Sequence, residues 1–175
     1  MKKIILFCIL LSFPFFSCQK LIKYKDFVLT QTHYTGNELR IDGYYYKLRE
    51  DSKISVQCFY RNGIMLNMEG GALSLNEADE YIKNRFIGDS IHPINERSLW
   101  GLFVVIDKTI KFECYYPSDA ITKWTYIREG IILNDTTFHI TDSYRSDGAE
   151  IRERDEMYHF RQFYPKPDST NNFIK

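Results

Sequence analysis

The chain has 175 residues, 44% of them hydrophobic and 16% aromatic, with 23 basic and 23 acidic side chains. That length suits one domain with a real core, and the apolar fraction excludes a disordered chain. Balanced charge excludes the basic excess that nucleic-acid binding requires, and 13 Tyr with 13 Phe favour strands.

Lys2 and Lys3 precede an apolar run from Ile4 to Phe16, a secretory leader too short to span a bilayer as a permanent helix. The leader ends Phe15-Phe16-Ser17-Cys18, which resembles a bacterial lipobox. The resemblance implies cleavage after Ser17 and a triacylated Cys18, a membrane anchor worth about 0.8 kcal/mol per buried CH₂. Residues 1–17 carry two of the 23 bases and none of the 23 acids, so the mature net charge is −2. Gln19 stands where many lipoproteins held at the inner membrane have Asp, and Gln19 to Lys23 lacks the acidic run of a surface-export signal. The expected location is the outer membrane, on its periplasmic face rather than the cell surface.

Cys58 and Cys114 remain in an oxidising compartment. Each alternates with apolar residues (Ile54, Val56, Cys58; Ile110, Phe112, Cys114), so both are expected to point into one core, either as a disulfide or as free thiols. No CxxC supports a redox motif or a Cys-based zinc site.

Residues 18–37 read as lipidated Cys, tether and entry segment, with Phe27 to Leu29 docking on the domain. The domain itself spans residues 38–164. Leu39 to Leu48 and Lys53 to Tyr60 read as strands, and Asn62-Gly63 turns the chain into a third from Ile64 to Met68. Ser74 and Glu77 form a capping box before an apolar stripe of Leu75, Ala78, Ile82 and Phe86, one helix packed on the sheet or over a barrel mouth. Residues 87–98 read as a loop.

Trp100 to Ile106 and Thr109 to Tyr116 are joined by Asp107-Lys108. A two-residue turn pairs Ile106 with Thr109, Val105 with Ile110, Phe103 with Phe112 and Gly101 with Cys114, leaving Lys111 and Glu113 on the other face. Lys123 to Leu133 and Thr136 to Asp142 form a further hairpin around Asn134-Asp135. The charged run Ser146 to Glu156 reads as a solvated loop, Met157 to Phe163 as the closing strand, and residues 165–175 as a frayed polar tail. About eight strands and one helix predict a mainly β fold: a single antiparallel up-and-down barrel or a half-open sandwich.

Trp100-Gly101-Leu102-Phe103, Thr109-Ile110-Lys111-Phe112, Gly130 through Phe138, Tyr158-His159-Phe160 and Lys166 to Thr170 look like a set of small uncharacterised Bacteroidetes lipoproteins described as lipocalin-like. The resemblance covers roughly residues 38–170. It implies a lipocalin-like β-barrel, and its motifs are strand and turn residues rather than catalytic ones.

No HExxH, GxSxG, P-loop or GxGxxG is present, so no catalytic constellation is visible and no cofactor or metal is expected. His33, His92, His139 and His159 are scattered. His139 and His159 could meet across the sheet, but two His make a weak metal case. Glu150, Glu153, Asp155 and Glu156 alternate with Arg152 and Arg154, which reads as a solvated face rather than acid–base machinery. Trp100, Trp124 and the tyrosines read as cavity lining or core filler. Asp89-Ser90-Ile91, Asp135-Thr136-Thr137 and Asp168-Ser169-Thr170 resemble the O-glycosylation sequon of Bacteroidetes envelope proteins, at Ser90, Thr136 and Ser169. The expected function is an envelope lipoprotein holding a small apolar ligand in a barrel mouth. The alternative is a protein-interaction lipoprotein with a filled core, an envelope accessory factor or an immunity protein.

Overall fold

The computed structural model describes residues 22–69, 71–87, 95–116 and 121–175; the leader, Cys18, Ser90 and His92 lie outside these. A two-residue strand, β1 (Lys23–Tyr24), is followed by eight longer ones. They are β2 (Gly43–Leu48), β3 (Ile54–Phe59), β4 (Ile64–Glu69), β5 (Trp100–Ile106), β6 (Thr109–Tyr116), β7 (Thr122–Asn134), β8 (Thr137–Arg145) and β9 (Arg152–Gln162). From β2 to β9 each pairs antiparallel with its sequence neighbour, and β9 returns to β2. The result is a closed eight-stranded up-and-down barrel of the lipocalin-like kind, not a half-open sandwich. The β5–β6 register pairs Ile106 with Thr109, Val105 with Ile110, Phe103 with Phe112 and Gly101 with Cys114, as turn length and pattern predict.

Alternation along each strand sends one set of side chains into the lumen and the other to the outer wall. At one end the lumen is filled by Tyr45, Phe59, Phe103, Phe112, Phe138 and Tyr158, all essentially inaccessible to solvent. Phe138 and Tyr158 stack at 4.7 Å, and Phe59 meets Phe103 edge-on at 4.9 Å. Tyr34 and Leu39 close this end from below. The β3–β4, β5–β6 and β7–β8 turns lie here. At the opposite end, the mouth, lie the β2–β3 turn, the β8–β9 turn and the longer β4–β5 connection.

The single α-helix among the described residues, α1 (Leu75–Ile82), packs on the outer wall and not over the mouth. Ser74 accepts from the Glu77 N–H as the capping box predicts, and Glu77 accepts from Leu73. Ala78, Ile82 and Phe86 cover Val56, Cys58, Leu66 and Trp100, a second apolar cluster outside the barrel. Asp79 fixes the helix to the wall through Tyr44 Oη at 2.7 Å and Arg161 at 2.6 Å.

Four sequence expectations are corrected here. Leu39 to Asp42 are not strand: the Arg40 N–H turns to the Asp135 carbonyl and the Tyr45 hydroxyl. The charged run ends earlier than expected, because β9 begins at Arg152 and pairs with β8. The C-terminal tail is docked: the Lys166 ammonium donates to the Ile41 and Phe59 carbonyls, Asn62 donates to Ser169, and Phe173 and Ile174 pack on the outer cluster. Cys58 and Cys114 form no disulfide, since they face opposite sides of the barrel wall. Each is a buried thiol. Two faces of this sheet are buried, so period-two patterning cannot say that both cysteines share a core.

The entry segment is also built in. It starts at the mouth beside β7, runs down the outer wall and reaches the closed end at Tyr34. Glu113, fully buried on the outer face of β6, accepts from the Val28 and Leu29 N–H groups and from Thr125 Oγ1. Phe27 and Leu29 dock as expected. Gly63, at φ +79°, serves the β3–β4 turn, and a Cβ there would lie 2.2 Å from the Thr32 carbonyl of this segment.

Candidate functional site

Toward the mouth the lumen changes character. Two residues beyond Tyr45 on β2 lies Lys47, and two residues before Tyr158 on β9 lies Glu156, so strand alternation carries both inward. Arg128 on β7 sits opposite Phe112 and Ser143, sharing their inner face. Arg154, two residues before Glu156 on β9, continues the same inward phase.

The β2–β9 ladder ends at Tyr46–His159, after which β2 holds only to β3 and β9 only to β8. The seam is bridged instead by Lys47 Nζ and Glu156 Oε2 at 2.6 Å. A cavity of about 720 Å³ opens there, lined by Lys47, Ser55, Tyr116, Arg128, Arg154 and Glu156. A second of about 320 Å³ shares Tyr116, Arg128 and Arg154 with it and extends toward Ser143 and Arg152. The size is that of a small-molecule site.

Arg128 organises the floor. Its side chain is 5% exposed and lies 2.9 Å from both Glu156 Oε2 and Tyr158 Oη, and it also donates to Tyr116 Oη. Burial opposes its charge, but Tyr158, Tyr116 and Glu156 outweigh that and hold it fully protonated. Burial lifts the Glu156 carboxyl, yet Arg128, Lys47 and Arg154 together hold it below the usual carboxylate range. Burial, with Arg128 alongside, lowers the Lys47 ammonium relative to an ordinary lysine. Burial also pushes the Tyr158 phenol well above its usual range, so it stays a neutral hydrogen-bonding group.

The floor thus holds three cations, Lys47, Arg128 and Arg154, against one carboxylate, Glu156. Outside it, the rim carries both signs, including Arg49, Glu50, Asp51 and Asp155. Arg154 forms no ion pair among the described residues, and its buried Nε has no acceptor. The Arg128 Nε is buried and unmatched in the same way. Buried unmatched donors cost about 1–3 kcal/mol each, and more when charged, so this floor is arranged for an acceptor that the chain does not supply.

No protein-family model, curated protein or solved structure matches this chain.

The residues singled out from sequence fall largely elsewhere. His139 and His159 occupy diagonal positions on the outer face: His139 pairs with Asp155 at 2.7 Å, and His159 lies on the Tyr46 ring, where His159 and Tyr46 border the outer edge of the larger cavity. His33 lies on the surface beside Tyr34 and Phe103. No group of three His, Cys, Asp or Glu among the described residues could hold a metal ion. Trp100 is buried under the helix, and Trp124 lies between Lys25 and Arg145. Neither lines the lumen site. Thr136 is half-buried at the β7–β8 tip, donating to Asn134, and Ser169 is held by Asn62. Of the charged run, Glu153 stays outside, Glu150 and Arg152 line the second cavity, and Arg154 and Glu156 become the floor. Sequence reasoning passed over Lys47 and Arg128, and read Arg154 and Glu156 as a solvated face. Their signal was positional: each lies an even number of residues from an inward apolar or glycine position on its own strand.

Proposed function

We propose that this chain is an outer-membrane lipoprotein, anchored through Cys18 and akin to the lipocalin-like Bacteroidetes lipoproteins, whose barrel mouth binds a small anionic molecule. The carrying observation is the buried Arg128–Arg154–Lys47 floor, which has a single compensating carboxylate and unmatched guanidinium N–H groups. Arginine forks recognise carboxylate and phosphate groups through paired charge-assisted hydrogen bonds. The apolar end of the lumen is filled by its own rings, and the unfilled volume is lined by the cations Lys47, Arg128 and Arg154 beside apolar surface. The lining therefore favours an anion over the small apolar ligand expected from sequence. Tyr116 and Ser55, which line the cavity, would flank the anion as neutral hydrogen-bonding groups. Ile106, Ile131 and Leu133, exposed near the closed end, favour the alternative of a protein partner, but the floor is the more specific feature.

Thermal melts of the intact protein against a panel of small carboxylates and phosphates, at constant ionic strength, test the reading. A specific binder at about one hundred times its Kd adds about 2.7 kcal/mol of stability. A panel that leaves the melting temperature unmoved, or that shifts wild type and Arg154→Gln alike, counts against the site.

A further inference from the structure

Five aliphatic side chains at the mouth of the barrel are about half exposed or more. Leu48 ends β2 at the mouth and is 69% exposed; Ile151 precedes β9 there and is 73% exposed. Ile121 and Ile22, each about half exposed, sit side by side, because the Lys23 N–H donates to the Ile121 carbonyl. Leu73 is exposed next to Ala72, whose carbonyl accepts from Ile54 at the mouth end of β3. These five residues come from five separate segments of the chain, all at one end of the barrel. In water, such an arrangement leaves apolar area unburied at five positions around the opening, interspersed with the charged rim residues Arg49, Glu50, Asp51 and Asp155, and clustered exposed apolar side chains mark an interaction surface.

The chain itself identifies the partner. β1 pairs with β7 at Thr122 and Lys123, so the described chain emerges at the mouth. Cys18 lies five residues before Lys23. Five residues at about 3.3–3.6 Å each reach about 18 Å at most. A strand of eight residues, such as β6, spans about 26 Å at about 3.3 Å per residue. A lipid anchor at Cys18 therefore holds the mouth close to the bilayer and leaves the closed end a barrel's height farther away. We propose that the rim of the mouth docks on the lipid bilayer, with Leu48, Leu73, Ile121, Ile151 and Ile22 entering the headgroup–acyl boundary, so that the basic floor opens onto the membrane surface. The anchor argument rests on the lipoprotein reading; the rim of exposed aliphatics does not. Side chains of this kind insert about 5–10 Å into the interface. Ile106, Ile131 and Leu133 at the closed end are the built-in comparison, since they are comparably exposed but sit beyond the reach of the tether.

The test uses the full chain, purified with its lipid and reconstituted into vesicles of phosphatidylethanolamine and phosphatidylglycerol. Single cysteines introduced by Ile151→Cys, Leu48→Cys or Ile131→Cys carry an environment-sensitive fluorophore; Cys58 and Cys114 are buried and stay unlabelled. Lipids brominated near the headgroup should quench labels at 151 and 48 by about twofold, as expected for groups held in the interface, and leave the label at 131 unaffected. Quenching at 131 but not at 151 and 48, or at none of the three, overturns the proposal. Intact mass decides the lipoprotein reading separately. If no acyl mass is found, that reading fails, and the same quenching comparison on the unlipidated chain, with Cys8 and Cys18 replaced by Ala so that the introduced cysteine alone is labelled, still decides whether the rim docks.

Discussion

Lys47 and Glu156 bridge the barrel wall at 2.6 Å, just beyond the point where the β2–β9 backbone ladder stops. Both side chains are mostly buried, and Glu156 is shared with Arg128. The pair replaces hydrogen bonds that would otherwise seal the lumen, so one contact keeps the seam closed and also compensates the basic floor.

Glu156→Gln should therefore destabilise the fold by about 3–5 kcal/mol, because it leaves buried cations uncompensated. The Glu156 carboxyl is held below its unfolded value, so its contribution is present above the ordinary carboxylate range and is lost as pH falls through the lowered folded pKa. Wild type should lose more stability on acidification than Glu156→Gln does. Parallel denaturant curves across the acidic range provide the check, and equal losses would remove the argument.

Phe103 and Phe112 face each other inside the closed end. Phe112→Ala should cost about 3–5 kcal/mol through the cavity it leaves. Lys111→Ala loses only a half-exposed pair with Glu129 on the outer face, which is worth about 1 kcal/mol or less. Thermal unfolding of the two variants that reversed this order would mean the register is wrong.

Burial pushes the Cys58 thiol up to about 11, and Cys114 is buried in the lumen wall. Neither should react with a thiol reagent at neutral pH until the protein unfolds. Rapid labelling of the native chain at either position would contradict the placement of these cysteines on two buried faces.

Cys18→Ala should move the protein out of the membrane fraction, and the wild-type chain should carry acyl mass. A variant that stays membrane-bound, beside a wild type without acyl mass, would discard the anchor.

How much of this was legible in the sequence depended on whether apolar alternation carried the signal. The β5–β6 hairpin was readable because Asp107-Lys108 fixed the register and Val105, Ile110, Phe103 and Phe112 agreed with it. The cap at Ser74 was readable because Ser and Glu stand three apart before an apolar stripe. The floor was not readable. Arg154 and Glu156 belong to a run of alternating charge, and hydrophobic patterning treats any charged run as solvent-facing. A polar lumen inverts that rule locally. Only extending the inward phase of Tyr158 back along β9, and of Tyr45 forward along β2, places Glu156 and Lys47 inside. The docked tail escaped for a related reason, since Lys166 is buried by two backbone carbonyls that no sequence pattern reveals.

The central claim, an anion held by the basic floor, is tested most directly by native mass spectrometry of the protein purified from its own envelope. Arg154 makes no ion pair within the described chain, and its removal takes away a buried unmatched donor, so Arg154→Gln should fold at least as stably as wild type. The account predicts that wild type retains a small molecule bearing a carboxylate or phosphate and that Arg154→Gln, equally well folded, releases it. A retained molecule without an anionic group, or one kept equally by both proteins, would contradict it.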